Sequence, residues 1–404
     1  MNDLTQCVLT PEVSTAGFDP LGVGVHRAST IVFKDAAAYA ARGDRGHQGY
    51  SYGLYGTPTT RTLEAKLTSL ERGAWTFLAP SGQAANALAI LPFVAAGDHV
   101  LMVDTAYPPM RDLAESDLRR LGVDVEFFDP LSPEDVARKM KANTRLVWCE
   151  SPGSTTMEIM DLPTVAAIAH QAGALVGVDN TWATPLNFKP LLHGADIVTE
   201  GLTKFVSGHS DVLMGSITVK DSALIQPVRA LIGRMGIGVS PDDASLVLRG
   251  FETLGVRLRH SESIALEFAR KMAEHPLVSQ VLHPALETFP GHAVWKRDFL
   301  GSSGVFSITV AEAAAGQVSA ALDAFRLFAI GASWGGTRSL VAPMSIGRFR
   351  SATSWTGSDL ILRLSIGLED REELWADVER FLKALQERHA EANNLSPKAA
   401  VRHG

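Results

Sequence analysis

Between residues 59 and 220 the chain alternates between two hydrophobic rhythms. Short apolar, β-branched runs stand at 75–79, 99–104 and 146–150. Two more follow: G-A-L-V-G-V-D, which closes on Asp179, and A-D-I-V-T-E, which leads into Thr203-Lys204. Continuous runs of this length fit strands buried on both faces. The intervening segments near 110–121, 133–141 and 161–172 read as helices. A further helix begins near Thr59-Thr60, which can cap it, buries Leu63, Leu67 and Leu70, and stops at Gly73. The βα alternation over 75–220 predicts an α/β fold with a mostly parallel sheet and helices on both faces. Met235-Gly236-Ile237-Gly238-Val239-Ser240-Pro241 breaks the pattern. Beyond it, 242–275 is largely helical, with Ile264, Phe268 and Met272 at four-residue spacing. A strand at 305–310, a helix at 316–326 and an alternating run at 360–366 around Arg363 come next. Leu374, Val378, Leu382 and Leu385 mark a last amphipathic helix. The organisation expected is an arm at 1–58, a large domain at 59–243, a smaller C-terminal α/β domain at 244–390 and a polar, disordered tail at 391–404. The arm has no clean period, and either docking on a neighbouring subunit or mobility would account for that.

Composition changes this picture little, but it excludes several functions. At 404 residues, 46% hydrophobic and 20% charged, the chain is an ordinary globular one with room for two or three domains. A net charge of -7 without runs of like charge argues against nucleic acid or an anionic membrane as partner. Cys7 and Cys149 are the only cysteines, which points to a reducing compartment and excludes a thiolate metal site. The start lacks the basic and apolar regions of a signal peptide, and no apolar run is long enough to span a membrane. The expectation is a cytoplasmic enzyme with no metal.

Candidate chemistry gathers where the strands end, the place at which open α/β sheets bind ligands. Asp179 and Lys204 each close an apolar run. An acid and a lysine in one crevice suit pyridoxal 5'-phosphate, the lysine holding the aldehyde and the acid keeping the ring nitrogen protonated. A buried Asp–Lys ion pair would leave the same trace. Pro80-Ser81-Gly82-Gln83-Ala84-Ala85, a small-residue turn entering a helix, suits a phosphate or simply tight packing. Tyr107 follows the 99–104 run and could stack on a planar ring or be a half-buried loop residue. Gly22 and Gly24 have no preceding strand and no third glycine, so they make no dinucleotide fingerprint.

Seven stretches carry a resemblance: E-S-P-G-S-T-T-M-E at 150–158, D-N-T-W-A at 179–183, T-K-F-V-S-G-H-S-D at 203–211, L-G-V-R-L-R at 254–259, W-K-R-D-F at 295–299, S-W-G-G at 333–336 and L-R-L-S-I-G-L-E-D at 362–370. In this order they resemble the Cys/Met-metabolism family of pyridoxal-phosphate enzymes, and within it the bacterial lyases that act on cystathionine. The resemblance implies fold type I, like the aspartate aminotransferases. It also implies a homotetramer of active dimers whose sites are completed by the neighbour's arm. By position, Lys204 matches the Schiff-base lysine, Asp179 the pyridinium partner and Tyr107 the stacking ring and proton-transfer partner. Gly82, Gln83 and Thr203 match the phosphate cradle, with Tyr52 reaching over from the other subunit. Arg363 matches the arginine that grips the substrate carboxylate, helped by Ser333 and Trp334.

Two positions favour β-elimination on an amino-acid thioether such as cystathionine. Ser154 stands where many γ-acting relatives carry Asn, and Trp334 is typical of β-lyases. A broader cysteine-conjugate or cystine lyase, a γ-acting enzyme on homoserine derivatives and a non-catalytic member are the competing readings. Three departures stand out. Leu54 occupies the place of the phosphate-binding arginine, with Arg42, Arg45 or His47 as candidates to compensate. Arg338 reverses the charge of an expected Glu after S-W-G-G. Gly201 lacks a hydroxyl found in some relatives.

Overall fold

The computed structural model describes residues 3–7 and 13–395. Seven strands form the larger sheet: β1 (Trp75–Ala79), β2 (His99–Val103), β3 (Asp124–Phe128), β4 (Thr144–Glu150), β5 (Leu175–Asp179), β6 (Ile197–Glu200) and β7 (Gly215–Val219). Their order is β1-β7-β6-β5-β4-β2-β3. Strands β2 to β6 run parallel, and β7 lies antiparallel to β1 and β6. The chain winds outward in opposite directions from the β2/β4 neighbours. That reversal opens a crevice beyond the carboxyl ends of the strands.

The second sheet has β8 (Val278–Leu282), β9 (Val305–Val310), β10 (Ala329–Ile330), β11 (Leu340–Ser345) and β12 (Leu360–Ser365), in the order β10-β11-β12-β9-β8. It is antiparallel except for the β10/β11 pair. The helix Arg371–Leu395 packs Leu374, Val378, Phe381, Leu382 and Leu385 into its core beside Phe306 and Ile308. The helix Pro241–Ala273 serves both cores. Ala244 to Leu258 face the first, and Ile264 to Met272 the second. The division drawn at 243/244 falls in the first turn of this helix, whereas the change of core comes between Leu258 and Ile264. The expected tail starts inside the last helix, which continues to Leu395, and its remainder lies outside the described residues.

Local corrections have simple causes. The helix Pro58–Glu71 is capped by Thr57, not by Thr59-Thr60: Thr57 N donates to Thr60 Oγ1 at 2.8 Å and Thr60 N to Thr57 Oγ1 at 3.4 Å. Pro58 fits the first turn because the amide it lacks would have no partner there. Residues 110–121 divide into Pro108–Asp112 and a wider turn at 113–118. The expected 316–326 helix is a pair, Glu312–Ala315 and Val318–Leu322. The break at 235–241 is a stop and a start. Gly236, at φ 66°, ends the helix Ile225–Met235, and Ser240 Oγ accepts from Asp242 N to begin the next. Among the described residues no helix is long and apolar enough to cross a membrane.

Candidate active site

The cleft at the strand ends encloses about 1050 Å³, part of it open to solvent. Gly82, Gln83, Tyr107, Ser154, Asp179, Thr203, Lys204, Trp334 and Arg363 all line it. Ser333 joins them through Lys204, whose Nζ donates to Ser333 Oγ at 2.8 Å. Tyr52 does not. It lies on the arm, 48% exposed and bridged to Thr30, away from its own chain's cleft.

Each charged group arrives from a different element. Asp179 is the last residue of β5. Its Oδ1 accepts from Thr181 N at 3.0 Å and from Thr181 Oγ1, and its Oδ2 from Asn86 Nδ2 at 3.0 Å. Lys204 sits in the turn after β6, where Thr181 Oγ1 accepts from Gly201 N at 2.8 Å. The residue at 82 is a glycine for a spatial reason: a Cβ built on Gly82 would meet Gly201 Cα at 3.0 Å. Burial, and then the Arg363 charge, lower the Lys204 ammonium to about 8, against a weaker opposing pull from Asp179. The Lys204 ammonium lies 5.2 Å from the Trp334 ring centroid. The glycines of S-W-G-G allow this approach, since a Cβ on Gly335 (φ 82°) would meet Phe205 N at 2.9 Å.

Arg363 stands mid-strand in β12, between Ser307 and Ala342. It is 7% exposed, its Nη2 donates to Ala332 O, and among the described residues it forms no ion pair with a carboxylate. Burial lowers it to about 10. A buried guanidinium with its fork unpaired by acid is costly unless an anion visits it. At the cleft's other end, Gly82 and Gln83 open the helix Gly82–Ile90, so their amides have no intrahelical acceptor. Gln83 Oε1 is buried without a partner. The Thr203 hydroxyl is shared with the Met214 backbone.

Several contributors were not anticipated. Asn86 lies one turn after Gly82 on the same helix face, a spacing that could have flagged it. Its Oδ1 accepts from Thr199 Oγ1. Glu150 pairs in register with Asp179 across β4 and β5, and its Oε2 accepts from Tyr107 N at 2.6 Å. Burial and the Asp179 charge push its carboxyl well above the usual range. Burial also raises the Tyr107 phenol, with Arg363 opposing. Thr181, two residues after Asp179, is the hydroxyl partner expected of an Asx-type turn.

These residues fit a pyridoxal-phosphate group: a depressed lysine amine, a hydrogen-bonded carboxylate, an anion-ready helix start and an orphaned amide oxygen. The family match agrees. The profile of the Cys/Met metabolism PLP-dependent enzymes matches residues 5–383. The chain belongs to that family. Among its relatives, a putative cystathionine beta-lyase of Rhizobium johnstonii is 45% identical over 89% of this chain and 90% of its own. The cystathionine beta-lyase of Escherichia coli is 40% identical over 88% and 91%. A crystal structure of cystathionine gamma synthase from Xanthomonas oryzae pv. oryzae, in complex with aminoacrylate and cysteine, superposes with a TM-score of 0.84. It is 31% identical and covers 92% of this chain and 95% of that one. The enzyme is thus pyridoxal-phosphate dependent and of the fold expected.

Proposed function

We propose that this enzyme cleaves the Cβ–S bond of an amino-acid thioether, L-cystathionine foremost, giving homocysteine, pyruvate and ammonia. The observation that carries the reading is the pairing of Arg363, buried without an acid partner, with Lys204 across one cleft. When bound, the cofactor supplies an electron sink for the Cα carbanion. The chain's residues do the rest. Arg363 forks two hydrogen bonds onto the substrate carboxylate and so aims the Cα–H toward Lys204. Lys204 Nζ, with an affinity for protons close to neutral, takes that proton and returns one to the departing sulfur. Tyr107, which lines the same cleft, would stack on the cofactor ring and assist the transfer. Asp179, fixed by Thr181 and Asn86, keeps the ring nitrogen protonated. Gly82, Gln83 and Thr203 hold the phosphate. Trp334, Ser333 and Ser154 border the substrate.

The relatives' names support the β-lyase branch, and so does Trp334 against the lysine. The arm (1–58), the large domain (59–243) and the small domain (244–390) are the proposed units of a homotetramer in the cytoplasm. In it Tyr52 enters the neighbour's cleft, and Arg42, Arg45 or His47 supplies the charge that Leu54 lacks. Pyruvate release measured on cystathionine, cystine and a homoserine ester tests the reading. Release from cystathionine, lost in Lys204→Ala, is expected. 2-Oxobutyrate as the product would move the enzyme to γ-chemistry.

A further inference from the structure

The connection between β11 and β12 crosses from the second core onto the first. Ile346 is buried there, and Ala352 and Trp355 pack against the same core as the large sheet. One carboxylate, Asp104, holds the middle of this strap, with its side chain wholly buried just past the end of β2. Asp104 Oδ1 accepts from Ser351 N at 3.0 Å, Ser351 Oγ at 3.1 Å and Arg111 Nη1 at 3.0 Å. Its Oδ2 accepts from Ala352 N at 3.1 Å, Thr353 N at 2.8 Å and Thr353 Oγ1 at 2.7 Å. Arg111 reaches the strap as well, donating to Phe349 O at 3.1 Å and to Ser351 Oγ, while its guanidinium lies 3.8 Å from the Phe127 ring centroid. At the strap's base, Asp359 accepts from Gly347 N at 2.7 Å.

Two lines lead from the strap to the cleft. Arg350 donates to Thr156 Oγ1 and to Glu158 Oε1, the latter at 2.9 Å. Thr155 and Met157, on either side of Thr156, line the cleft and have φ of 71° and 65°. Non-glycine residues at positive φ persist only where the surroundings hold them. The strap then runs directly into β12, which presents Arg363. Asp104 itself precedes Tyr107 by three residues.

We propose that Asp104 is a positioning residue for the substrate: by clamping residues 349–353 it fixes the 154–158 wall and the depth at which Arg363 meets the substrate carboxylate. This rests on the reading of the cleft as an amino-acid site. The geometry needs a carboxylate. Five donors of the strap and one of Arg111 converge on two oxygens, and an amide in its place would turn an NH₂ group toward them. The same hydrogen bonds overcome the burial that would otherwise protonate the group, and hold it below the usual carboxylate range.

The test uses Asp104→Asn in the cofactor-loaded enzyme, with three readouts: amide hydrogen exchange across 349–353, the glycine dissociation constant and the kinetics of pyruvate release. Glycine needs Arg363 but offers no bond to sulfur, so its binding does not depend on the lyase reading. Loss of one charged acceptor is expected to speed exchange of the strap amides and to weaken glycine and raise KM by about tenfold each. kcat should stay within about threefold, and cofactor affinity should be unchanged. Should Asp104→Asn fail to fold, Thr353→Val removes one of the contacts and is expected to weaken glycine about threefold. Faster strap exchange with unaltered glycine binding and KM would make Asp104 merely structural and overturn the proposal. A parallel fall in cofactor affinity would overturn it too. Wild-type enzyme that binds glycine but releases no pyruvate would sink the lyase reading while leaving Asp104 to be judged on glycine alone.

Discussion

Lys204 is the residue whose surroundings say most. Its amine reacts with an aldehyde only when neutral, and with a value of about 8 the neutral fraction rises steeply between pH 7 and 9. The rate at which the cofactor-free enzyme captures pyridoxal phosphate is expected to climb over that range and then level off. Removing the Arg363 charge takes away a cause of the lowering, so Arg363→Ala should move the midpoint upward; stopped-flow absorbance at several pH values measures it. Arg363→Lys keeps the charge but loses the fork, and KM for cystathionine is expected to rise about ten- to a hundredfold with cofactor affinity unchanged. At this scale the sequence was most legible where a residue type is demanded by the chemistry: Lys204, Asp179, Tyr107 and Arg363 all line one cleft. Glu150 and Asn86 escaped notice because their roles depend on strand register and helix face. Neither is visible until the neighbours are placed.

The turn carrying Lys204 is an element braced from below. Arg257, in the L-G-V-R-L-R stretch, donates to Phe205 O at 2.7 Å, Val206 O at 3.2 Å and Gly250 O at 2.7 Å. Gly208 and Gly250 leave room for this, since a Cβ on either would come within 2.1 Å of the guanidinium or of Ser207 O. Arg257→Ala takes the guanidinium donors from the buried Phe205 and Val206 carbonyls and is expected to cost about 3 kcal/mol, read from urea unfolding. Strand β6 ends in a second buried cluster. Glu200 and Glu71 are both buried there, and burial raises both carboxyls, with Lys189 opposing. Groups whose folded pKa is raised keep their proton in the native state. Stability is therefore highest below the ordinary carboxylate range and falls as pH rises from there toward the folded value. Glu200→Gln should flatten that fall and melt several degrees above wild type at pH 9, as calorimetry across pH would show.

Which strands could be read follows the same physics. β2, β4, β5 and β6 are continuous apolar runs because neighbours cover both faces. β3 (D-V-E-F-F) is an edge strand that begins exposed, and β8 (V-S-Q-V-L) turns two polar residues outward. β7 (G-S-I-T-V) is wholly buried, yet its Thr218 finds a partner across the sheet, Thr76 at 2.8 Å. Polarity satisfied by a neighbouring strand carries no signal in the strand's own sequence.

At the scale of the molecule, one chain leaves its arm bare. Val13, Phe18, Leu21 and Val32 are exposed, Leu21 fully, and Tyr52 faces away from its own cleft. A row of apolar residues this open is a surface in want of a partner, which supports the proposed assembly. If Tyr52 serves the neighbouring site, mixing inactive Lys204→Ala chains with impaired Tyr52→Phe chains should restore activity that neither possesses alone. Residues that act within one chain would not complement. Alanine at Arg42, Arg45 or His47 should weaken cofactor retention if that residue compensates for Leu54, as dialysis against cofactor-free buffer would reveal. The account as a whole turns on where the cofactor is attached. Borohydride reduction of the pyridoxal-phosphate-loaded enzyme, followed by peptide mass mapping, is expected to place the label on Lys204 alone. Label on another lysine, or on none, would contradict it.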